Sequence, residues 1–264
     1  MSKSSLPESS LIEASARLGD EISAAAIFLT RLPIRFDGPM PADLHGRALG
    51  WYPVIGAGIG LAAGAVYAAA TLLGLTSMAA ALLALGFQIA VTGALHEDGL
   101  ADVADGFGGG RDKMAKLAIM RDSRLGSYGV LALLFSVGLR WSTLAALADP
   151  LPVAAALIGA GALSRAMVPA VYGYLDPART DGLAAGLGAP PGTRIAMALA
   201  LGTCLAGLAL GPAALPVLAA AIVAALAIAE LARAQIGGHT GDVLGACQQG
   251  VEITVLLVLA AILI

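Results

Sequence analysis

Three aspartates stand close together in a chain that is otherwise mostly apolar. In the segment LHEDGLADVADGFGGG, which begins at Leu95, the residues Asp98, Asp102 and Asp105 are spaced i, i+4, i+7. A helix turns about 100° per residue, so these carboxylates would lie within about 60° of one another on one face. Because like charges repel there, and because hard oxygen ligands suit Mg²⁺ or Mn²⁺ better than zinc, we predict that all three bind Mg²⁺. Glu97 lies about 100° off this face and is left out of the predicted metal shell.

The residues that follow the aspartates suit a phosphate. Gly108, Gly109 and Gly110 offer free backbone N–H groups and left-handed conformations, which allow close approach of an anion. The next segment, RDKMAKLAIMRDSRLG, starts at Arg111 and carries five bases. Metal-binding acids beside a basic segment are typical of enzymes that transfer a phosphate-bearing group. The alternative is an exposed acidic patch that the neighbouring bases neutralise.

A second polar segment, GGHTGDVLGACQQGVE, follows much later in the chain. His239 and Asp242 stand three residues apart in it, among glycines. We predict that Asp242 completes the metal shell and that His239 acts as a general base or donates to a phosphate. The alternative for His239 is an interfacial histidine that pairs with the aspartate.

Two arginines fall inside apolar stretches, where an ionisable side chain is costly and usually faces the interior of a helix bundle. Arg165 is expected on the same side of the membrane as the aspartates, where it would either reach a substrate phosphate or pair with Glu230. Arg140 is expected toward the opposite side, where its long side chain would extend to the membrane surface.

The composition is that of a helical membrane protein. Of the 264 residues, 58% are hydrophobic and only 12% are charged, against about 25% charged in a typical soluble domain. The 34 glycines would let apolar helices approach closely in lipid. The net charge of −3 gives no case for nucleic-acid binding. A soluble alanine-rich bundle is the alternative, but repeated apolar runs of about 18 or more residues favour membrane spans.

Apolar stretches predict about seven transmembrane helices, preceded by an amphipathic helix over residues 11–32. Three short connections, GLTSM, ADPLP and GPAALP, contain no Lys or Arg, whereas the N-terminal region and the 96–126 loop hold most of the positive charge. The positive-inside rule then places the N-terminus and the aspartates in the cytoplasm. The chemistry would be built from three loops, 96–126, 173–194 and 233–250. The predicted spans are 54–75, 78–95, 127–147, 152–172, 195–211, 213–232 and 251–264.

The predicted fold class is therefore an all-α, polytopic integral membrane bundle. We divide the chain into a polar N-terminal extension, residues 1–20, and a single membrane-embedded catalytic domain, residues 21–264. We expect no cleavable signal peptide, because the polar N-terminus lacks a hydrophobic segment. Cys204 and Cys247 belong to no paired motif and are interpreted as small apolar fillers.

Three motifs, in this order, resemble the adenosylcobinamide-GDP ribazoletransferases, also called cobalamin (5′-phosphate) synthases. They are LHEDGLADVADGFGGG, IMRDSRLGSYG and GGHTGDVLGA. The stretch SRAMVPAVYGYLDPARTDGLAAGLG and the order of the spans are similar too, so the resemblance covers roughly residues 20–264. Members of that family are bacterial and archaeal inner-membrane enzymes of the late vitamin B12 pathway.

The resemblance implies a Mg²⁺-dependent reaction between two substrates. A ribose hydroxyl of α-ribazole, or of its 5′-phosphate, attacks adenosylcobinamide-GDP; GMP leaves, and adenosylcobalamin or its 5′-phosphate forms. Asp98, Asp102 and Asp105 would hold Mg²⁺, and His239 and Asp242 would complete the site. The predicted substrate contacts are Gly108, Gly109, Gly110, Arg111, Arg121, Asp122, Ser123, Arg124, Arg165 and Arg179.

The resemblance also implies a protein of the bacterial inner membrane. Together with the predicted spans and the positive-inside rule, this gives a multi-pass protein in contact with lipid, with its N-terminus and its active site in the cytoplasm. A homo-oligomer, or an association with other late B12-pathway enzymes, is compatible with it. A CDP-alcohol phosphotransferase is an alternative, but its DG-x2-AR pattern is not met, because Asp102 follows Leu100 and Ala101. A transporter is another, but it predicts charges near the bilayer midplane and internal repeats, whereas these acids cluster at one face.

Overall fold

The computed structural model describes residues 8–36, 41, 43–179 and 190–264. Within these residues the chain is helical, apart from turns and one isolated bridge between Pro177 and His239, so the predicted all-α class is confirmed. Short 3₁₀ turns, Leu49–Trp51 and Gly211–Ala213, join some of the helices. The described helices are α1 (Glu8–Leu29), α2 (Leu44–Ala48), α3 (Tyr52–Leu72), α4 (Ser77–Thr92), α5 (Leu95–Gly109), α6 (Lys113–Ile119), α7 (Ser127–Leu147), α8 (Pro150–Tyr174), α9 (Gly192–Leu210), α10 (Ala214–Ile236) and α11 (Gly241–Leu263).

Several of these helices are long and apolar enough to cross a bilayer. Within the described residues there are 5 such segments, or 6 if α4 and α5 form one broken span with a bend of 88°. Five is fewer than the seven predicted for two reasons: the segment Gly192–Ile236 contains both α9 and α10, and α4, with 16 residues, is too short to count alone. Each predicted span nevertheless overlaps one helix. The five segments are Leu44–Leu72, Ser127–Leu147, Pro150–Tyr174, Gly192–Ile236 and Gly241–Leu263.

Small residues let α3 and α8 pack with their backbones in contact. A Cβ atom on Gly56 would lie 2.0 Å from the carbonyl oxygen of Gly161, and one on Gly60 would lie 2.2 Å from that of Leu157. Such close approach of small residues stabilises helix pairs in lipid, where no hydrophobic force drives them together. The glycine content therefore has a structural explanation at this crossing.

The predicted amphipathic helix over 11–32 corresponds to α1, which packs against the bundle with one apolar face. Its Ala25 and Leu29 are buried in a cluster with Tyr52 and other residues. Glu21 accepts hydrogen bonds from Arg194 at 2.7 Å and from Trp51 at 3.0 Å. These contacts tie α1 to the start of α9 and to the turn before α3.

A sharp turn separates the aspartate helix from the span before it. Gly93 and Ala94 both adopt left-handed backbone conformations, with φ of +63° and +56°. The following helix α5 thus runs across the bundle, against α7 and α11, instead of continuing α4. The segment 96–126, predicted as a loop, is largely helical, since it contains α5 and α6.

The last helix begins ten residues before the predicted span 251–264. It starts at Gly241, so the predicted loop 233–250 is reduced to the short connection between α10 and α11. The sequence suggested a loop because Gln248, Gln249 and Glu252 are polar, but all three are buried. Their side chains form part of an internal polar network.

A buried network of charges joins four helices beneath the aspartates. Arg140 of α7 is 1% exposed and lies 3.0 Å from Glu97 of α5 and 3.4 Å from Glu252 of α11. Arg165 of α8 lies 3.9 Å from the other oxygen of Glu252. The expectation that Arg140 extends to the membrane surface is therefore wrong, because two carboxylates hold it inside the bundle. Two positive and two negative groups balance in this network.

We expect Arg140→Leu to destabilise the protein strongly. It leaves Glu97 and Glu252 buried with one cation fewer, and breaking a buried ion pair costs about 3–5 kcal/mol. The measurement is the thermal unfolding midpoint in detergent. The double variant Arg140→Leu/Glu97→Gln restores the charge balance and is expected to recover part of the loss; an equal loss in both variants would contradict the network's role.

Candidate active site

An acidic cavity lies between α5, α7 and the loop that follows α6. Its volume is about 410 Å³, and Asp98 and Asp102 of α5 both line it. Four residues of the predicted basic motif line the same cavity: Arg121, Asp122, Ser123 and Arg124. Two of the four predicted metal ligands and these four residues of the motif are thus brought together, although they lie about twenty residues apart in the chain.

The carboxylates around this cavity lie close enough to repel one another, and together they create a negative electrostatic potential. Asp102 interacts electrostatically with the carboxylates of Asp98, Asp242 and Asp105, and Asp242 also interacts with Asp98. In the part of the chain that the structure describes, no hydrogen bond or ion pair satisfies the side chains of Asp98 and Asp102. Converging, unpaired carboxylates favour the binding of a cation.

The predicted four-carboxylate metal shell is not preassembled. Among the described residues, no group of three or more His, Cys, Asp or Glu side chains is close enough to hold a metal ion. Mg²⁺ is usually bound through one or two carboxylates together with substrate phosphates and water. Asp98 and Asp102 in one cavity meet that requirement.

Asp105 faces a different partner from the one predicted. Its carboxylate accepts hydrogen bonds from the backbone N–H groups of Gly126, at 2.7 Å, and Gly129, at 2.9 Å. These groups belong to the first turn of α7, where N–H groups are free to bind an anion. A Cβ atom on either glycine would lie 2.4 Å from an oxygen of Asp105. These contacts favour an anchoring role for Asp105, not the predicted metal ligand.

We expect Asp105→Asn to reduce activity about 10-fold without changing the Mg²⁺ concentration for half-maximal rate. The amide has one acceptor oxygen where the carboxylate has two, so one N–H of the α7 terminus loses its partner and the loop before it shifts. Initial rates measured over a Mg²⁺ series test this. A rise of tenfold or more in the Mg²⁺ requirement would instead return Asp105 to the metal shell.

The first turn of α11 brings Asp242 near Asp98 of the acidic cavity. Thr240 caps this helix with its hydroxyl, which accepts from the N–H of Val243 and donates to Asp242 Oδ2 at 3.1 Å. Arg179 Nη2 lies 4.0 Å from the same oxygen. The position of Arg179 follows from backbone hydrogen bonds between its segment and His239, since the N–H of Ala178 donates to the carbonyl of His239 at 2.8 Å.

His239 is buried, and among the described residues it does not form the alternative pair with Asp242. It is 2% exposed, and its ring meets that of Tyr172 edge to face, with centroids 4.8 Å apart. Burial lowers the pKa of the imidazole, so the neutral form is favoured. His239 lines neither the acidic cavity nor the apolar cavity described below. These positions do not support the predicted role as a general base.

The glycine run is not a phosphate cradle. Gly108 and Gly109 belong to the last turn of α5, and the N–H of Gly110 donates to the carbonyl of Gly106 at 3.0 Å. A Cβ atom on Gly108 would lie 2.6 Å from the ring of Tyr128. The run therefore serves close packing of the helix end, and neither it nor Arg111 lines the acidic cavity.

Asp122 and Arg124 form an ion pair within the basic loop. Arg124 is exposed over 88% of its side chain and lies 2.5 Å from Asp122. The hydrogen bond from the Arg124 guanidinium holds the pKa of Asp122 at about 2. The Asp122 carboxylate also accepts from the backbone N–H of Arg124, at 3.0 Å. Asp122 thus stabilises the loop that presents Arg121, Ser123 and Arg124 to the cavity.

Arg165 does not occupy the predicted position near a substrate phosphate. Its side chain is 2% exposed and lies in the buried charge network with Glu252, and it does not line the acidic cavity. The alternative partner, Glu230, is also wrong, because Glu230 pairs with Arg233 at 2.7 Å. No role was predicted for Glu252, although a carboxylate inside an apolar helix is itself a signal for a buried partner.

A glycine allows α5 and α11 to meet at the site. A Cβ atom on Gly99 would lie 2.8 Å from the carbonyl oxygen of Asp242 and 3.0 Å from its Cα atom. Only a residue without a side chain permits this separation of the two backbones. The close crossing brings Asp98, on one helix, near Asp242, on the other.

A second cavity, of about 220 Å³, was not predicted from the sequence. It is mostly apolar, and Asp242 lies at its wall. Aromatic side chains from three separate helices meet there, so no local motif could have revealed it. It is lined by Phe28, Leu29, Leu49, Tyr52, Leu95, His96, Val168, Tyr172, Gly241, Asp242, Leu244 and Gly245.

Comparisons with a family model and with known proteins identify the same family. A family model described as cobalamin-5-phosphate synthase matches residues 21–260. A protein of Bradyrhizobium diazoefficiens named adenosylcobinamide-GDP ribazoletransferase is 52% identical over 242 residues, which cover 91% of this chain and 93% of that protein. A protein of Mesorhizobium japonicum with the same name is 44% identical over 252 residues, which cover 90% of this chain and 92% of that protein. No solved structure matches the chain.

Proposed function

The chain belongs to the cobalamin-5-phosphate synthase family and is an enzyme of the adenosylcobinamide-GDP ribazoletransferase type, and from this premise we propose that it joins α-ribazole, or its 5′-phosphate, to adenosylcobinamide-GDP with the help of Mg²⁺. An oxygen of the ribose forms a bond to the phosphorus attached to the cobinamide arm. The bond between that phosphorus and the GMP oxygen breaks, GMP leaves, and the hydroxyl proton is released. The product is adenosylcobalamin or its 5′-phosphate.

The observation that carries this proposal is the shared cavity of the acidic helix face and the basic loop. Asp98 and Asp102 of α5 line this cavity together with Arg121 and Arg124 of the basic loop. A diphosphate bound in this cavity would be within reach of a metal ion held by the aspartates and of the guanidinium groups of the loop. Transfer of phosphate-bearing groups depends mainly on such positioning and charge neutralisation.

The residues present fit Mg²⁺. Asp98 and Asp102 offer carboxylate oxygens that no described group satisfies, and the diphosphate would supply the remaining charged ligands. Asp98 and Asp102 would hold the ion, which when bound polarises a phosphoryl oxygen and neutralises charge on the leaving group. Asp242, near both cavities, would either complete the shell or accept the proton of the ribose hydroxyl.

The basic loop has its own part in the reaction. Arg121 and Arg124 would orient the diphosphate and stabilise the negative charge that develops on the departing GMP. The Ser123 hydroxyl would donate to a phosphate oxygen. Arg179, 4.0 Å from Asp242, would keep that carboxylate in place or contact the phosphate of a 5′-phosphorylated acceptor.

The test is a direct assay. Purified protein with α-ribazole, adenosylcobinamide-GDP and Mg²⁺ is expected to release GMP; EDTA should stop the release, and added Mg²⁺ should restore it. A family relative assayed in parallel is the control for substrate quality. Release by the relative but none by this protein would contradict the proposed reaction, and release that persists in EDTA would contradict the metal requirement.

The orientation in the membrane is a further part of the proposal. The described helices suggest a multi-pass membrane protein, and the distribution of Lys and Arg favours a cytoplasmic face for α6 and the acidic cavity. In this arrangement the protein resides in the bacterial inner membrane among lipid and binds no nucleic acid. Chemical cross-linking would test for a homo-oligomer or for contacts with other enzymes of the pathway.

We expect opposite labelling of two engineered cysteines in intact cells. In a Cys204→Ala background, an impermeant maleimide added outside should modify Asp149→Cys, between α7 and α8, but not Met114→Cys, on α6. Both native residues are exposed, so accessibility differs only by side of the membrane. Both variants should react after the membrane is permeabilised, and the reverse pattern in intact cells would invert the proposed topology.

A further inference from the structure

The apolar cavity beside Asp242 has the features of a binding site for a flat aromatic group. Phe28 and Tyr52 stack in its wall, with ring centroids 5.8 Å apart and planes 15° apart, and Tyr172 contributes a third ring. The aliphatic residues Leu29, Leu49, Val168 and Leu244 complete much of the lining. Ligand cavities typically combine such apolar walls with a few polar groups that fix orientation.

The apolar cavity adjoins the acidic one through two elements. Leu95 and His96 of α5 line the first, while Asp98 and Asp102 on the same helix line the second. The rise from Leu95 to Asp98 is only about 4.5 Å along the helix axis. Asp242 lines the apolar cavity and interacts electrostatically with Asp98. A ligand with an aromatic end and a hydroxylated end could thus reach from one cavity toward the other.

We propose that this apolar cavity binds the aromatic base of the nucleoside acceptor. The proposal rests on the function proposed above, in which the acceptor's ribose hydroxyl must reach the phosphorus held in the acidic cavity. With the base packed in the cavity against the aromatic lining of Phe28, Tyr52 and Tyr172, the ribose is directed past Asp242 toward that phosphorus. Ring stacking and burial of apolar area supply the binding energy.

Guanine and the corrinoid fit this cavity less well. Guanine carries several hydrogen-bonding groups on its edges, and an apolar wall would leave them buried and unpaired. The corrinoid is far larger than a cavity of about 220 Å³. The dimethylated benzimidazole base of α-ribazole is flat, bicyclic and mostly apolar, which matches the lining.

The test compares two identical substitutions on α11. Leu244→Phe places a larger side chain in the cavity, while the matched Leu257→Phe alters a residue of the same helix that is exposed on the bundle surface. We expect Leu244→Phe to raise the KM for α-ribazole about 10-fold or more, because small changes of shape in an apolar cavity have effects of this size. The KM for adenosylcobinamide-GDP should stay within about twofold, and Leu257→Phe should change neither constant.

Each other outcome has a definite meaning. If the wild-type protein releases no GMP, the proposed function fails; if turnover is normal but Leu244→Phe leaves the KM for α-ribazole unchanged, only the base site fails. A KM that rises for adenosylcobinamide-GDP alone would assign the cavity to the other substrate and overturn the proposal. If Leu244→Phe leaves both KM values unchanged but co-purifies with less phospholipid than the wild-type protein, the cavity binds a lipid acyl chain. That result would also overturn the proposal.

A second measurement needs no variant, in case Leu244→Phe does not fold. The wild-type protein is assayed with α-ribazole and with the matching riboside of benzimidazole without its two methyl groups. An apolar cavity that encloses the base should lower kcat/KM for the smaller base about 10-fold or more. Equal kcat/KM values would overturn the proposal.

Discussion

Asp98→Asn is expected to lower the rate of GMP release about 100-fold or more. The amide keeps the shape of the side chain but removes the negative charge that a Mg²⁺ ligand supplies, and the loss of one such group typically has an effect of this size. The Mg²⁺ concentration for half-maximal rate should rise about 10- to 100-fold. Steady-state GMP release over a Mg²⁺ series measures both quantities.

The matched control is Asp149→Asn. Asp149 is exposed at the start of α8, where its side chain makes no capping hydrogen bond. Since α7 begins beside the acidic cavity and ends at Leu147, Asp149 lies about 30 Å away along that helix. The control should retain wild-type rates. An Asp98→Asn protein that folds normally and keeps more than about half of the wild-type rate would remove Asp98 from the metal site.

Gly99→Ala is expected to be nearly as damaging, although it adds a single methyl group and no charge. The new Cβ atom would lie 2.8 Å from the carbonyl oxygen of Asp242, and since that atom belongs to a helix backbone, α5 and α11 must move apart. A displacement of about 1 Å in an active site can cost roughly 100-fold in rate. We therefore expect kcat to fall between about 10- and 100-fold, measured by GMP release at saturating substrates.

Gly86→Ala is the control for this change. Gly86 lies within α4, and a Cβ atom there would meet nothing within 4 Å. Alanine should be tolerated or slightly stabilising at such a helical position. If Gly99→Ala retains the activity of Gly86→Ala, the close crossing of α5 and α11 does not set the geometry of the site.

The fold was largely predictable because hydropathy identifies apolar helices directly. The prediction failed where polar residues belong to a span. Gln248, Gln249 and Glu252 resemble a loop in the sequence, yet they are buried in α11, where Arg140 and Arg165 provide partners from distant helices. The sharp turn at Gly93 and Ala94 also carries no strong sequence signal, because alanine rarely adopts a positive φ.

The site was predictable where helical spacing decides the geometry. Asp98 and Asp102 face one cavity, as the i, i+4 spacing predicts. Asp105, on the same face, meets the first turn of α7 instead, because only the tertiary fold determines which neighbour covers each turn of a helix. The glycine run was assigned to phosphate on composition alone, whereas its actual role is close packing. The apolar cavity combines residues from α1, α3, α5, α8 and α11 and has no local signature.

The central claim is that Asp98 and Asp102 together bind a divalent cation that the diphosphate substrate shares. Mn²⁺ is an electron-paramagnetic substitute for Mg²⁺, so equilibrium binding can be followed by the loss of the free Mn²⁺ signal. Wild-type protein with adenosylcobinamide-GDP is expected to bind Mn²⁺, and Mg²⁺ should displace it. The folded double variant Asp98→Asn/Asp102→Asn is expected to lose this binding; Mn²⁺ binding of equal affinity in the double variant and the wild-type protein would contradict the claim.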